Sequence, residues 1–81
     1  MKIRHRGHIW EAYLEDDGSL DTSVSIRRYW GIGNMQTDRL TFSQEYASQF
    51  RDRAGRMTRK GFRELAKEVI EYSEKKYTED N

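Results

Sequence analysis

The sequence predicts an α+β domain: a two- or three-stranded antiparallel sheet, begun by an N-terminal hairpin, then two α-helices packed on one face of it. Three observations predict this. Residues 8–15 and 20–27 alternate apolar and polar side chains with the period of two that a strand requires. Residues 41–54 and 58–77 instead repeat their apolar positions at helical spacing. The 81 residues contain no proline and no low-complexity tract, so nothing marks a boundary between units. Residues 1–77 therefore read as one domain and 78–81 as a fraying tail.

In the first strand Trp10, Ala12 and Leu14 take the even positions, with Glu11 and Glu15 on the odd ones. After Asp16-Asp17-Gly18 the even face resumes with Leu20, Val24 and Ile26. A three-residue loop with a type I turn at the aspartates and Gly18 left-handed would join the two strands. It would pair Leu14 with Leu20, Ala12 with Thr22 and Trp10 with Val24, whereas a slip of one residue would spoil the apolar face. The same parity puts Arg28 on the apolar side. The odd face is polar apart from Ile9, Tyr13 and Tyr29, which mark a contact surface for a partner if they are not scattered surface residues. Gly31 and Gly33 then break the chain, and a short third strand through Met35 to Leu40 is the optional part of the sheet.

The first helix is expected from Thr41 or Ser43 to about Ala54, with Tyr46, Ala47, Phe50 and Ala54 as its stripe and Gly55 as its stop. The second runs from Thr58 to about Tyr77. Its continuous packing face is Phe62, Leu65, Ala66, Val69, Ile70 and Ser73.

Only fourteen residues are Leu, Ile, Val or Phe, but two Trp, five Tyr and three Phe add apolar area, each aromatic burying about 150–250 Å². The core is thin and aromatic, and a core of that kind invites stabilisation by a partner or by homodimerisation. Without cysteine there is no disulfide, thiol nucleophile or thiolate metal site, which suits a reducing cytoplasm. The basic N-terminus is followed by no apolar run, and no stretch approaches the length of a membrane span.

The net charge is +1, yet FRDRAGRMTRKGFR, residues 50–63, holds Arg51, Arg53, Arg56, Arg59, Lys60 and Arg63 against the single acid Asp52. The acids gather later, from Glu64 to Asp80. On a helix Arg59, Lys60, Arg63 and Lys67 share one 100° sector beside the apolar face. Arg59 and Lys60 occupy a first turn, where the helix dipole prefers acids, at a cost of a few tenths of a kcal/mol each. Lys60–Glu64, Lys67–Glu71 and Glu71–Lys75 stand four apart and can lace an ordinary solvated surface. They cannot neutralise 51–63. Arg4, Arg6, Arg27 and Trp30 supply further cations and an aromatic. Arginine beside aromatics suits phosphates and bases, and it suits a protein interface as well.

The stretches GHIWEAYLEDDG, SIRRYW and LTFSQEYASQF together resemble the arm-binding domains of phage integrases over about half the chain, with the second helix outside the comparison.

Residues that suggest chemistry have simpler accounts. His5, His8 and Glu11 are three apart, and on one straight strand they alternate faces, so they do not converge on a metal without a bulge at Gly7. Glu15, Asp16 and Asp17 suit a turn. Gly31-x-Gly33 lacks the Gly-Lys-Ser/Thr of a phosphate loop. The expectation is a small cytoplasmic binding protein, not an enzyme, with no cofactor and no bound metal. It would contact nucleic-acid backbone through the basic junction between the helices. The alternative is an adaptor or inhibitor of phage or plasmid kind, using Ile9, Tyr13 and Tyr29.

Overall fold

A tight turn that leaves no mark in the apolar pattern adds a strand ahead of the expected hairpin. Arg6 and Gly7 both take positive φ, 51° and 80°, as a two-residue type I′ turn requires, and its twist matches that of the strands it joins. It folds β1 (Lys2–His5) onto β2 (His8–Glu15), with Ile3 opposite Trp10 and His5 opposite His8. β3 (Thr22–Tyr29) and β4 (Met35–Phe42) follow, giving the order β1-β2-β3-β4, antiparallel throughout. The sheet has four strands, not two or three. One short helix, α1 (Gln44–Ser48), and one long one, α2 (Arg59–Glu79), complete the α+β architecture. The computed structural model describes residues 1–16, 21–29 and 33–79, with side chains to residue 76.

The β2–β3 register differs from the expected one by four residues. Leu14 faces Val24 and Ala12 faces Ile26, so the connection runs from Asp16 to Asp21 and is no three-residue loop. The proposed turn at Asp17 and Gly18 lies outside the described residues. A shift of four preserves parity, so it leaves every side chain on its expected face, and the apolar pattern cannot oppose it. One tertiary interaction favours the longer loop: Asp16, its first residue, is held by Arg51. β3 pairs along its whole length with β4, from Thr22–Phe42 to Tyr29–Met35.

The core lies between the sheet and α2. Ile3, Trp10, Ala12, Val24 and Ile26 meet Leu65, Ala66, Val69 and Ile70, all buried. Arg28 lies on this side, as parity requires, with its guanidinium 5.0 Å over the Trp10 ring and bonded to Gln36 Oε1 at 3.0 Å. A buried polar strip continues from there: Gln36 Nε2 donates to Ser73 Oγ at 2.8 Å, and Ser73 donates to Asp38 at 2.5 Å. Ser73, fully buried on α2, thereby ties the helix to β4.

The first helix is far shorter than its apolar stripe suggests. Ser43 caps it, accepting from the Tyr46 N–H at 3.1 Å, while Thr41 belongs to β4. Helical continuation would need the Ala54 N–H to reach the Phe50 carbonyl. Instead Asp52 Oδ1 takes the Ala54 and Arg56 N–H groups at 2.9 and 3.0 Å. The Phe50 carbonyl accepts from the Thr58 N–H and hydroxyl, both at 3.1 Å. A short polar side chain has won the competition for backbone donors. Ala54 is exposed, and Gly55, at φ 81°, turns a loop and ends no helix. Only α2 packs broadly on the sheet, so the two packed helices expected from the sequence are one. The LTFSQEYASQF segment of the integrase resemblance is accordingly the end of a strand, a cap and a five-residue helix.

Candidate nucleic-acid interface

Of the six basic residues nominated in 50–63, Arg51 belongs to the scaffold. Its guanidinium grips both Asp16 oxygens, at 2.6 and 2.7 Å, and also bonds Thr22 Oγ1 at 3.0 Å and the Gly55 carbonyl at 3.1 Å. A guanidinium fork meeting a carboxylate in this way leaves no donor pair for a phosphate. The correction is physical: the loop after β2 delivers a carboxylate that no local pattern places there.

What Arg51 holds is the loop 49–58. Arg51 and Met57 form an antiparallel bridge, and Asp52 closes the turn between them through the Ala54 and Arg56 N–H groups and a 2.8 Å bond from its own N–H to the Arg56 carbonyl. Asp52, the only acid of the stretch, is thus engaged by backbone. Thr58 caps α2, its hydroxyl accepting the Gly61 N–H at 2.9 Å. Gly61 lets the first turn press on Phe50, because a Cβ there would stand 2.6 Å from the Phe50 Cβ.

This framework presents Arg53, Arg56, Arg59, Lys60 and Arg63, all exposed. Lys67, half-buried, joins them: Arg59, Lys60, Arg63, Glu64 and Lys67 line a shallow depression of about 420 Å³. Among the described residues none of these six cations has a carboxylate within 4.0 Å. The Lys60–Glu64 and Lys67–Glu71 spacings therefore do not close into ion pairs. Nearby Glu68 accepts the Tyr46 hydroxyl on both oxygens, at 2.9 and 3.0 Å. That hydrogen bond first, then desolvation and the carboxylate charge, raise the Tyr46 phenol above its ordinary 10.0.

Of the secondary contacts, Arg4, Arg6 and Arg27 do not join this surface. Arg4 and Arg27 project from the sheet face opposite α2, Arg6 sits exposed in the β1–β2 turn, and Trp30 lies outside the described residues. Arg27 lies between the rings of Tyr13 and Tyr29, 5.2 and 5.4 Å from their centroids, and bonds the Tyr13 hydroxyl. Ile9, Tyr13 and Tyr29 do share that outer face, 55%, 44% and 64% exposed, and Met35 joins them at 49%. Met35 reaches this face through its pairing with Tyr29 across β3 and β4, which the apolar alternation does not specify.

Asp16, whose residue type and position suit a turn, is an anchor for Arg51. No local signal could pair residues 35 apart. His5 and His8 correct a geometric argument: across a two-residue turn, an offset of three puts them opposite each other on one face, with Glu74 Oε1 3.5 Å from His5 Nε2. Among the described residues no group of three or more His, Asp or Glu side chains is arranged to hold a metal ion, and no helix is long and apolar enough to cross a membrane. Comparison with family models, with curated proteins and with solved structures returned no match, so the site is read from its own geometry.

Proposed function

We propose that the chain is a small, non-enzymatic nucleic-acid-binding protein that grips the phosphate backbone with Arg53, Arg56, Arg59, Lys60, Arg63 and Lys67. The observation that carries the reading is that six cations stand on one loop and the start of α2, four of them around one depression, with no carboxylate within 4.0 Å of any of them among the described residues. Arg59 and Lys60 stand where the helix dipole disfavours positive charge, so their placement costs folding stability and suits binding. The loop is braced by Asp52 and Arg51, so little ordering entropy opposes an encounter. We place the activity in the cytoplasm, in keeping with a chain that has no cysteine.

Binding of this kind releases counterions. The logarithm of the affinity falls against log salt by about 0.9 per neutralised phosphate on duplex DNA and about 0.7 on a single strand. A salt titration by gel shift tests it, alongside a variant carrying Arg59→Glu, Lys60→Glu and Arg63→Glu. The variant is expected to fold at least as well as the wild type and to lose binding. Undiminished binding by the folded variant, or no wild-type binding at low salt, defeats the reading.

A second reading has its own observation. Ile9, Tyr13, Tyr29 and Met35 remain open on the sheet face away from α2, and tyrosine and arginine together favour protein contacts. A protein partner or a second copy would use this face. Binding there survives nuclease treatment and the α2 charge reversal, and a dimeric elution volume identifies the second copy.

A further inference from the structure

Beside the basic depression lies a second hollow, of about 260 Å³, between the end of α1 and the first turn of α2. Phe50, Gln49, Thr58, Gly61, Lys60 and Glu64 line it. Lys60 and Glu64 line the larger depression as well, so the two adjoin.

We propose that the paired hollows hold one unstacked nucleotide of a single strand, its base against Phe50 and its phosphate among Arg59, Lys60 and Arg63. This rests on the backbone-binding reading above and names its substrate: single-stranded rather than duplex nucleic acid. Size, chemistry and rigidity argue for it. The smaller hollow falls just below the roughly 300–1,000 Å³ of sites for drug-sized ligands, which suits a single base better than anything larger. An aromatic side chain beside a positively charged groove is the combination that recognises single strands, because every base has a face to stack and every linkage a charge. A duplex keeps its bases paired and stacked and cannot offer one without paying for its extrusion. Phe50 is half-buried, its ring edge-on to Tyr46 at 5.6 Å. Its carbonyl is bonded twice by Thr58, and Gly61 packs against its backbone. The hollow is therefore built before any ligand arrives.

The test compares a fluorescent oligonucleotide of about twelve residues, as a single strand of DNA or RNA and as a duplex, by anisotropy at one salt concentration. The single strands are expected to bind at least about tenfold more tightly. Phe50→Leu, which keeps an apolar side chain but no ring, is expected to weaken single-strand binding about five- to tenfold and to leave duplex binding unchanged. Photo-cross-linking of a bromouracil-substituted strand to wild-type protein avoids reliance on any variant: adducts within residues 49–64 support the proposal. Equal affinity for single and double strands, or adducts confined to other segments, overturns it while leaving the backbone reading intact. No binding of either form at low salt overturns both.

Discussion

Arg51 and Asp16, 35 residues apart, meet through two hydrogen bonds of 2.6 and 2.7 Å, with only 9% and 6% of their side chains exposed. The same guanidinium bonds Thr22 at the start of β3 and Gly55 in the basic loop. One side chain therefore fastens the β2–β3 connection to the loop that carries the candidate site. A residue that looks like part of a charged surface is the brace on which the other cations depend.

Breaking that pair from one side should be severe. Arg51→Met takes the guanidinium away from a nearly buried carboxylate, and about 3–5 kcal/mol of stability should be lost. Arg53→Ala and Arg56→Ala, both at exposed positions, should change stability by less than about 0.5 kcal/mol. Urea unfolding of the three variants measures this, and a small loss in Arg51→Met would show that the pair contributes little to the fold.

Gly61→Ala inverts the usual helix rule. In an open helix this change gains up to about 1 kcal/mol. Here the new Cβ would lie 2.6 Å from the Phe50 Cβ, 2.7 Å from the Phe50 carbonyl oxygen and 2.9 Å from Thr58 Oγ1. Overpacking against backbone should cost about 1–3 kcal/mol. A lowered melting temperature, with weaker oligonucleotide binding as α2 lifts from Phe50, is the expected result.

Ser73→Ala removes one buried oxygen but strands two partners, the Gln36 amide and Asp38 Oδ2. A loss of about 1–3 kcal/mol should follow. Adding Gln36→Leu should not recover it, because that change also takes the Gln36 acceptor from the Arg28 guanidinium while Asp38 Oδ2 still lacks its Ser73 donor. A double-mutant cycle by thermal unfolding reads the coupling.

The Tyr46–Glu68 bond should show itself in alkali. The folded pKa of Tyr46 is raised, chiefly by its hydrogen bond to Glu68. Its contribution to stability is thus complete below the unfolded value of about 10 and is lost as pH rises through the folded one. Tyrosine absorbance should contain a late ionisation that Tyr46→Phe removes, and stability should fall less steeply above about pH 10 in that variant. An unaltered titration curve in Tyr46→Phe would contradict the assignment.

Faces and identities of the longer elements were legible in the residues. Alternation put Trp10, Ala12, Val24, Ile26 and even Arg28 on the core side, because a strand's side chains repeat every two residues whatever the register. Helical spacing likewise picked out Leu65, Ala66, Val69, Ile70 and Ser73, all fully buried. Tertiary structure alone decided the rest. The β2–β3 register moved by four without disturbing parity, β1 needed the Arg6–Gly7 turn, and α1 stopped at Ser48, beyond which Asp52 captured backbone donors that a longer helix would use. Arg51 passed from surface to brace for the same reason: local pattern specifies which side a residue faces, whereas the partner that meets its charge comes from a distant part of the chain.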